Sequence, residues 1–150
     1  DPLEIYTSPD GEVIFKKYSP VGEISSTASQ YVDVLSKVGG LPAVICDRDH
    51  VIAVSGMSKK EIIERRVSGS LEDLIEQRKS YVFKNGEQKR LNPIEGVDRY
   101  AIACSPILAS GDVNGAVIML SGDSGNDTAT AEQSALVQAA AMYFGKQMEE

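Results

Sequence analysis

A chain of 150 residues with 15 basic and 22 acidic side chains carries a formal charge of −7 and an isoelectric point near 4.8. That balance argues against nucleic-acid binding by these residues alone, which needs a local excess of Lys and Arg, and the length suits one core plus an appendage. The longest apolar stretches, such as residues 115–120, fall far short of the roughly 20 residues of a membrane-spanning helix, and two unclustered cysteines supply neither a disulfide framework nor a zinc site.

The first elements alternate apolar with polar positions. Leu3 and Ile5, then Val13 and Phe15, flank a Ser8-Pro9-Asp10-Gly11 turn, the period-two pattern of a hairpin with one buried face. An isolated two-stranded ribbon is marginal in water, so this face is expected to close against residues outside the hairpin. The segment resembles the second half of AbrB-type swapped-hairpin domains, in which two chains interlock hairpins into a DNA-binding barrel. In that family an arginine-bearing Leu-Gly-Arg-x-x-x-Pro stretch lies just upstream of a Gly-Asp-Pro-Leu-Glu-Ile turn and strand, whose last five residues stand here as Asp1 to Ile5. The resemblance implies that residues 1–20 are the C-terminal half of such a domain. It also implies double-stranded DNA as a partner, through residues preceding Asp1.

After Pro20 the period changes. Ile24, Ala28, Tyr31, Leu35 and Val38 recur at intervals of four, three, four and three, a short heptad-like stripe ended by Gly39-Gly40. Two heptads are too few for a free coiled coil, so this helix is expected to pack in a dimer bundle. Residues 41–47 and 51–54 are β-branched runs joined by the polar Asp47-Arg48-Asp49-His50 turn, a second hairpin. Ser58-Lys59-Lys60-Glu61 before Ile62 reads as a capping box, and Ser70-Leu71-Glu72-Asp73 repeats its logic, predicting two short helices split by Ser68-Gly69. Residues 81–84 and 87–91 flank Asn85-Gly86 as a third hairpin. Residues 99–104 and 116–120 read as the last strands, with Gly111-Asp112 and Gly115 punctuating the return. A polar run over 121–127 leads to a final helix starting near Asp127 or Thr128, whose apolar arc is too wide for one face.

Helices bracketing antiparallel strands indicate an α+β fold. Val44-Ile45-Cys46-Asp47-Arg48-Asp49 leading into Ile52-Ala53-Val54-Ser55-Gly56, and Ser105-Pro106-Ile107 followed by Gly111-Asp112 and Gly115-Ala116-Val117-Ile118, resemble a GAF-type sensor domain. With the hairpin attached, the whole chain is similar to the stage V sporulation protein T family of transcriptional regulators. The resemblance implies a GAF-like antiparallel sheet with flanking N- and C-terminal helices over residues 21–150, preceded by the hairpin left from a swapped-hairpin barrel. It further implies a homodimer, or a dimer of dimers, assembled through those helices in the cytoplasm of the developing spore.

On that layout a ligand pocket is expected among Val44, Cys46, Ile52, Val54, Tyr81, Arg99, Tyr100 and Ile102. Arg99 is placed to clamp an anionic group and Tyr100 to supply a hydrogen bond, the alternative being an edge arginine paired with Glu95 or Asp98. The oligomer interface is expected at Ile24, Ala28, Tyr31, Leu35 and Val38 of the first helix and Leu136, Ala140, Tyr143 and Phe144 of the last. No metal is predicted, because His50 stands alone in its turn and turn carboxylates such as Asp47 commonly cap their own backbone. No cofactor is predicted beyond an unidentified small-molecule ligand.

Three functions follow. The first is a regulatory, dimerising sensor of small molecules within a DNA-binding regulator, which is not an enzyme. The second is a pure assembly module whose pocket is filled by its own side chains. The third is a thiol enzyme built on Cys46 or Cys104, resembling free methionine sulfoxide reductases, against which stands the apolar setting of both cysteines.

Overall fold

A computed structural model describes residues 5–7, 13–15, 25–84, 89–123, 125 and 127–149. Strands β1 (Ile5–Thr7) and β2 (Val13–Phe15) pair antiparallel, with Ile5 opposite Phe15 and Thr7 opposite Val13, as the alternation at the start of the chain requires. Leu3, the 8–11 turn and Ile24 lie outside the described residues.

Five further strands form one antiparallel sheet in the order β4-β3-β7-β6-β5. They are β3 (Ala43–Cys46), β4 (Val51–Ser55), β5 (Tyr81–Val82), β6 (Ala101–Ala109) and β7 (Asp112–Leu120). Helices α1 (Ser25–Gly39) and α4 (Ala131–Met148) cover one face, α1 over β3 and β4 and α4 over β6 and β7. The short helices α2 (Lys59–Ile62) and α3 (Gly69–Glu76) cover the other. Because both faces are covered, every residue of β3 is buried: Ala43 and Ile45 point to α1 and α4, whereas Val44 and Cys46 point to α2 and α3.

Bulges break such alternation elsewhere in the sheet, two of them at residues of the expected pocket. Ile52 is the extra residue where β4 slips against Ile45 and Cys46, and Ile102 the extra residue where β6 slips between Ala101 and Ala103. An extra residue resets the facing of its strand, and both isoleucines end on the α1 and α4 side.

Local chemistry explains the helix ends. Thr130 caps α4 with its hydroxyl accepting from Gln133 N at 3.0 Å, while the Gln133 side chain accepts from Thr130 N at 2.9 Å. The Gln133 amide also donates to Gly39 O at 2.9 Å, so one side chain satisfies the start of α4 and the end of α1. At α3 the cap is Ser68, which accepts from Leu71 N at 3.1 Å, and not Ser70; Gly69 is the first helical residue and not a break. Ser58 precedes α2 with an extended backbone but makes no side-chain cap. The third hairpin is replaced: β5 pairs with β6, Tyr81 opposite Cys104, and Leu91 bridges Ala101, while 85–88 lie outside the described residues.

Close approach decides two glycines. A Cβ on Gly115 would overlap the carbonyl oxygen of Cys46, and one on Gly145 would overlap that of Leu108, so α4 and β3 each sit where only hydrogen fits. The outer strands are short or already engaged. Val51 of β4 donates to Arg65 O and accepts from Glu64 N, and Phe83, just past the two-residue β5, accepts from Ala129 N. Among the described residues no helix is long and apolar enough to cross a membrane.

Candidate functional site

The sheet face beneath α2 and α3, which carries three of the expected pocket residues, is filled by side chains. Val44, Cys46 and Val54 lie there, buried among Ile62, Leu71 and Ile75. Ile52 and Ile102 lie on the opposite face, carried there by the bulges, so the eight predicted residues do not share a cavity.

Both cysteines belong to this packed layer. Cys46 Sγ is 3.7 Å from Ala116 O, and burial pushes its thiol up to about 12; burial raises Cys104 as well, with Cys46 nearby adding to the shift. Burial disfavours the thiolate at both positions, which argues against either cysteine as a nucleophile. Iodoacetamide is expected to modify both at least about a hundredfold more slowly in the folded chain than in urea, through opening alone. Rapid labelling of either folded thiol would restore the enzyme reading.

Arg99 donates to Ser121 O at 2.9 Å and to the Asp123 carboxylate at 2.5 Å, holding the loop that leaves β7; Glu95 pairs instead with Arg66 at 3.8 Å. Neither the anion clamp nor the pairing with Glu95 or Asp98 describes Arg99 here. Arg99 also borders a cleft of about 410 Å³ with Arg65, where Glu61 and Asp98 supply opposing charge. Asp47, as a turn acid, accepts from the backbone N–H groups of Asp49 and His50, both at 2.7 Å.

Tyr100 serves another arginine. The guanidinium carbon of Arg90 lies 4.9 Å from the ring centroids of both Phe83 and Tyr100, within cation–π range, and Arg90 donates to Gly125 O at 2.5 Å. Tyr81 donates its hydroxyl to Lys89 O at 3.0 Å. Burial raises the Tyr81 hydroxyl above its ordinary pKa, opposed by a backbone hydrogen bond at Leu91 and by the charge of Arg90. Tyr81, Lys89, Arg90 and Leu91 line an open cleft of about 380 Å³ together with Ser70, Asp73 and Leu74 of α3 and Gln77 just after it. Of the eight predicted pocket residues, only Tyr81 lines it.

The residues expected at an oligomer interface divide between buried and exposed faces of the terminal helices, with Val38 and Tyr143 among the exposed. Ala28, Leu35, Ala140 and Phe144 are fully or almost fully buried against this chain's own sheet, so no second chain can reach them. Leu136 is half-buried and packs on the same core. Among the described residues of the two helices, the large exposed apolar side chains are Val34 at 56%, Val38 at 65%, Met142 at 68% and Tyr143 at 40%. Tyr143 stacks on Tyr31 at 5.4 Å, and Val34 and Val38 follow Tyr31 along one side of α1 at helical spacing.

Residues 23–149 match the model of the stage V sporulation protein T C-terminal, transcription factor family. Stage V sporulation protein T of Bacillus subtilis (strain 168) is 40% identical over 152 residues, covering 100% of this chain and 83% of that protein. The chain belongs to the stage V sporulation protein T family. Its sheet and flanking helices also superpose on more distant folds. The GAF domain of an Acinetobacter phosphoenolpyruvate-protein phosphotransferase matches with a TM-score of 0.63 at 7% identity, over 89% of this chain and 84% of that one. A type II free methionine-R-sulfoxide reductase from Thermoplasma acidophilum matches with a TM-score of 0.56 at 12% identity, over 85% and 94%. At such identities the likeness is one of fold, and this member of the sporulation family is an α+β GAF-like domain.

Some residues that shape this family member carried legible signals and others none. Thr130-x-x-Gln133 has the capping-box spacing and marks the true start of α4. Val34, one turn before Val38, widens the apolar stripe of Tyr31, Leu35 and Val38 to the exposed side of α1. Arg90 belongs to no motif, since its partners Phe83, Tyr100 and Gly125 come from three separate segments.

Proposed function

We propose that residues 21–150 are the regulatory and oligomerisation region of a DNA-binding transcriptional regulator of sporulation, sensing a small molecule, and that residues 1–20 are the C-terminal half of its swapped-hairpin domain. The protein acts in the cytoplasm of the developing spore as a homodimer or a dimer of dimers. It contacts double-stranded DNA through residues preceding Asp1 and catalyses no reaction. Family membership supports the transcriptional role, and the name of the Bacillus subtilis relative supports sporulation.

The observation that carries oligomerisation is the set of exposed apolar side chains on α1 and α4, Val34, Val38, Met142 and Tyr143. Solvent-facing apolar residues on two adjacent terminal helices gain by pairing with a second copy of the same surface. The Val34→Glu, Val38→Glu double variant is expected to be monomeric at micromolar concentration by native mass spectrometry, with unchanged helical circular dichroism. A variant that keeps the oligomeric mass would remove this interface.

A second reading, assembly without any ligand, is favoured by the filled sheet face beneath α2 and α3. The native mass spectrum of the chain as purified separates the two. Retained extra mass supports sensing, and a bare oligomer moves the assignment to the assembly module.

A further inference from the structure

We infer that the cleft between α3 and the 89–91 segment binds a small anion, a phosphate or carboxylate group, and that Arg90 passes its occupancy to the start of α4. This inference rests on the sensing reading and gives it a place distinct from the filled sheet face. The cleft's volume of about 380 Å³ falls in the range typical of small-molecule sites, roughly 300–1,000 Å³. Its lining carries two cations, Lys89 and Arg90, against one carboxylate, Asp73, with Ser70, Gln77 and Tyr81 as further polar groups.

Arg90 is the centre of the arrangement. It is half-buried and, among the described residues, forms no ion pair. Two aromatic rings and one carbonyl hold it, leaving N–H donors of a five-donor guanidinium for a planar or tetrahedral anion. The carbonyl it holds belongs to Gly125, in the loop between β7 and α4.

That loop is tied to the helices. Gly125 N donates to Gly122 O at 3.1 Å, Gly122 N to the Asp127 carboxylate at 2.7 Å, and Ala129 N to Phe83 O at 2.9 Å, immediately before the Thr130 cap. Gln133, one turn on, grips the end of α1. An anion that fixes the guanidinium therefore fixes Gly125 and Phe83 together, and with them the point where α1 and α4 meet. The anion shifts the population only by binding this ordered arrangement better than a loosened one.

The test titrates the chain with inorganic phosphate and, separately, succinate at constant ionic strength, and follows amide hydrogen exchange by NMR. Wild type is expected to bind at least one probe, with exchange at Gly125 N and Ala129 N slowed about fivefold at saturation. Lys89→Gln, at an exposed position, is expected to weaken binding about tenfold, and Arg90→Gln to abolish both binding and the slowed exchange. Preference for phosphate or for succinate names the ligand's headgroup. Binding unchanged in both variants would overturn this site, and if native mass spectra retain extra mass, sensing stands elsewhere. Binding that is lost in the variants but leaves both amides unaltered in wild type would overturn the relay alone. No binding of either probe overturns the anion site, and with no retained mass the sensing reading falls with it.

Discussion

Phe144→Ala is expected to lower the free energy of unfolding by about 3–5 kcal/mol, the largest effect of any single truncation proposed for this chain. Phe144 sits on the face of α4 turned to the sheet, fully buried, its ring centroid 5.4 Å from that of Tyr31 and 5.3 Å from that of Tyr143 in edge-to-face contacts. Removing the ring leaves a cavity between α1, α4 and β6 that rigid strands cannot close. Urea denaturation followed by circular dichroism measures the loss. A cost below about 1 kcal/mol would mean the site collapses or the helix packs elsewhere. The same burial separates two roles along α4. Charge at Phe144 unfolds the domain, whereas charge at Met142, mostly exposed, leaves the fold intact.

Gly115→Ala is expected to cost about 3 kcal/mol or more, toward the upper end of overpacking effects, because the obstacle is backbone. The added methyl would meet the carbonyl of Cys46 and stand 3.0 Å from Asp47 Cα, at the end of the β3–β7 ladder where Cys46 faces Ala116. No rotamer change relieves that contact; the strands must part. For a domain of this size the corresponding drop in Tm is roughly 6–12 °C by differential scanning calorimetry. A variant melting within about 2 °C of wild type would show that the ladder's end yields freely.

The α+β layers were legible because each element satisfied its own local rule. The Tyr31, Leu35 and Val38 spacing predicted α1, the β-branched runs predicted β3 and β4, and Gly111-Asp112 predicted the turn into β7. The candidate site was not legible to the same degree, for two physical reasons. Strand residues alternate faces only where no bulge intervenes, and single-residue bulges at Ile52 and Ile102 reset the facing with no motif to announce them. The polar cleft depends on tertiary proximity, as with Arg90, whose neighbours lie 7, 10 and 35 residues away in the chain. On the helices a wide apolar arc shows that burial occurs on several sides, but not which residue faces the chain's own sheet. Leu35 and Val34, adjacent in sequence, differ from buried to mostly exposed.

The margins of the sheet bear on how this protein avoids self-templated growth. A bare strand edge invites another chain to add by backbone pairing, the first step toward fibres. On one side the N–H and C=O of Val51 are already taken by Arg65 and Glu64; on the other, β5 is two residues long and the carbonyl after it is taken by Ala129. A stray strand meets an engaged residue at the start of β4 and little ladder at β5. The proposed pairing through Val34 and Val38 would thereby rest on side chains, which recognise a partner by shape, and not on main chain, which accepts any sequence.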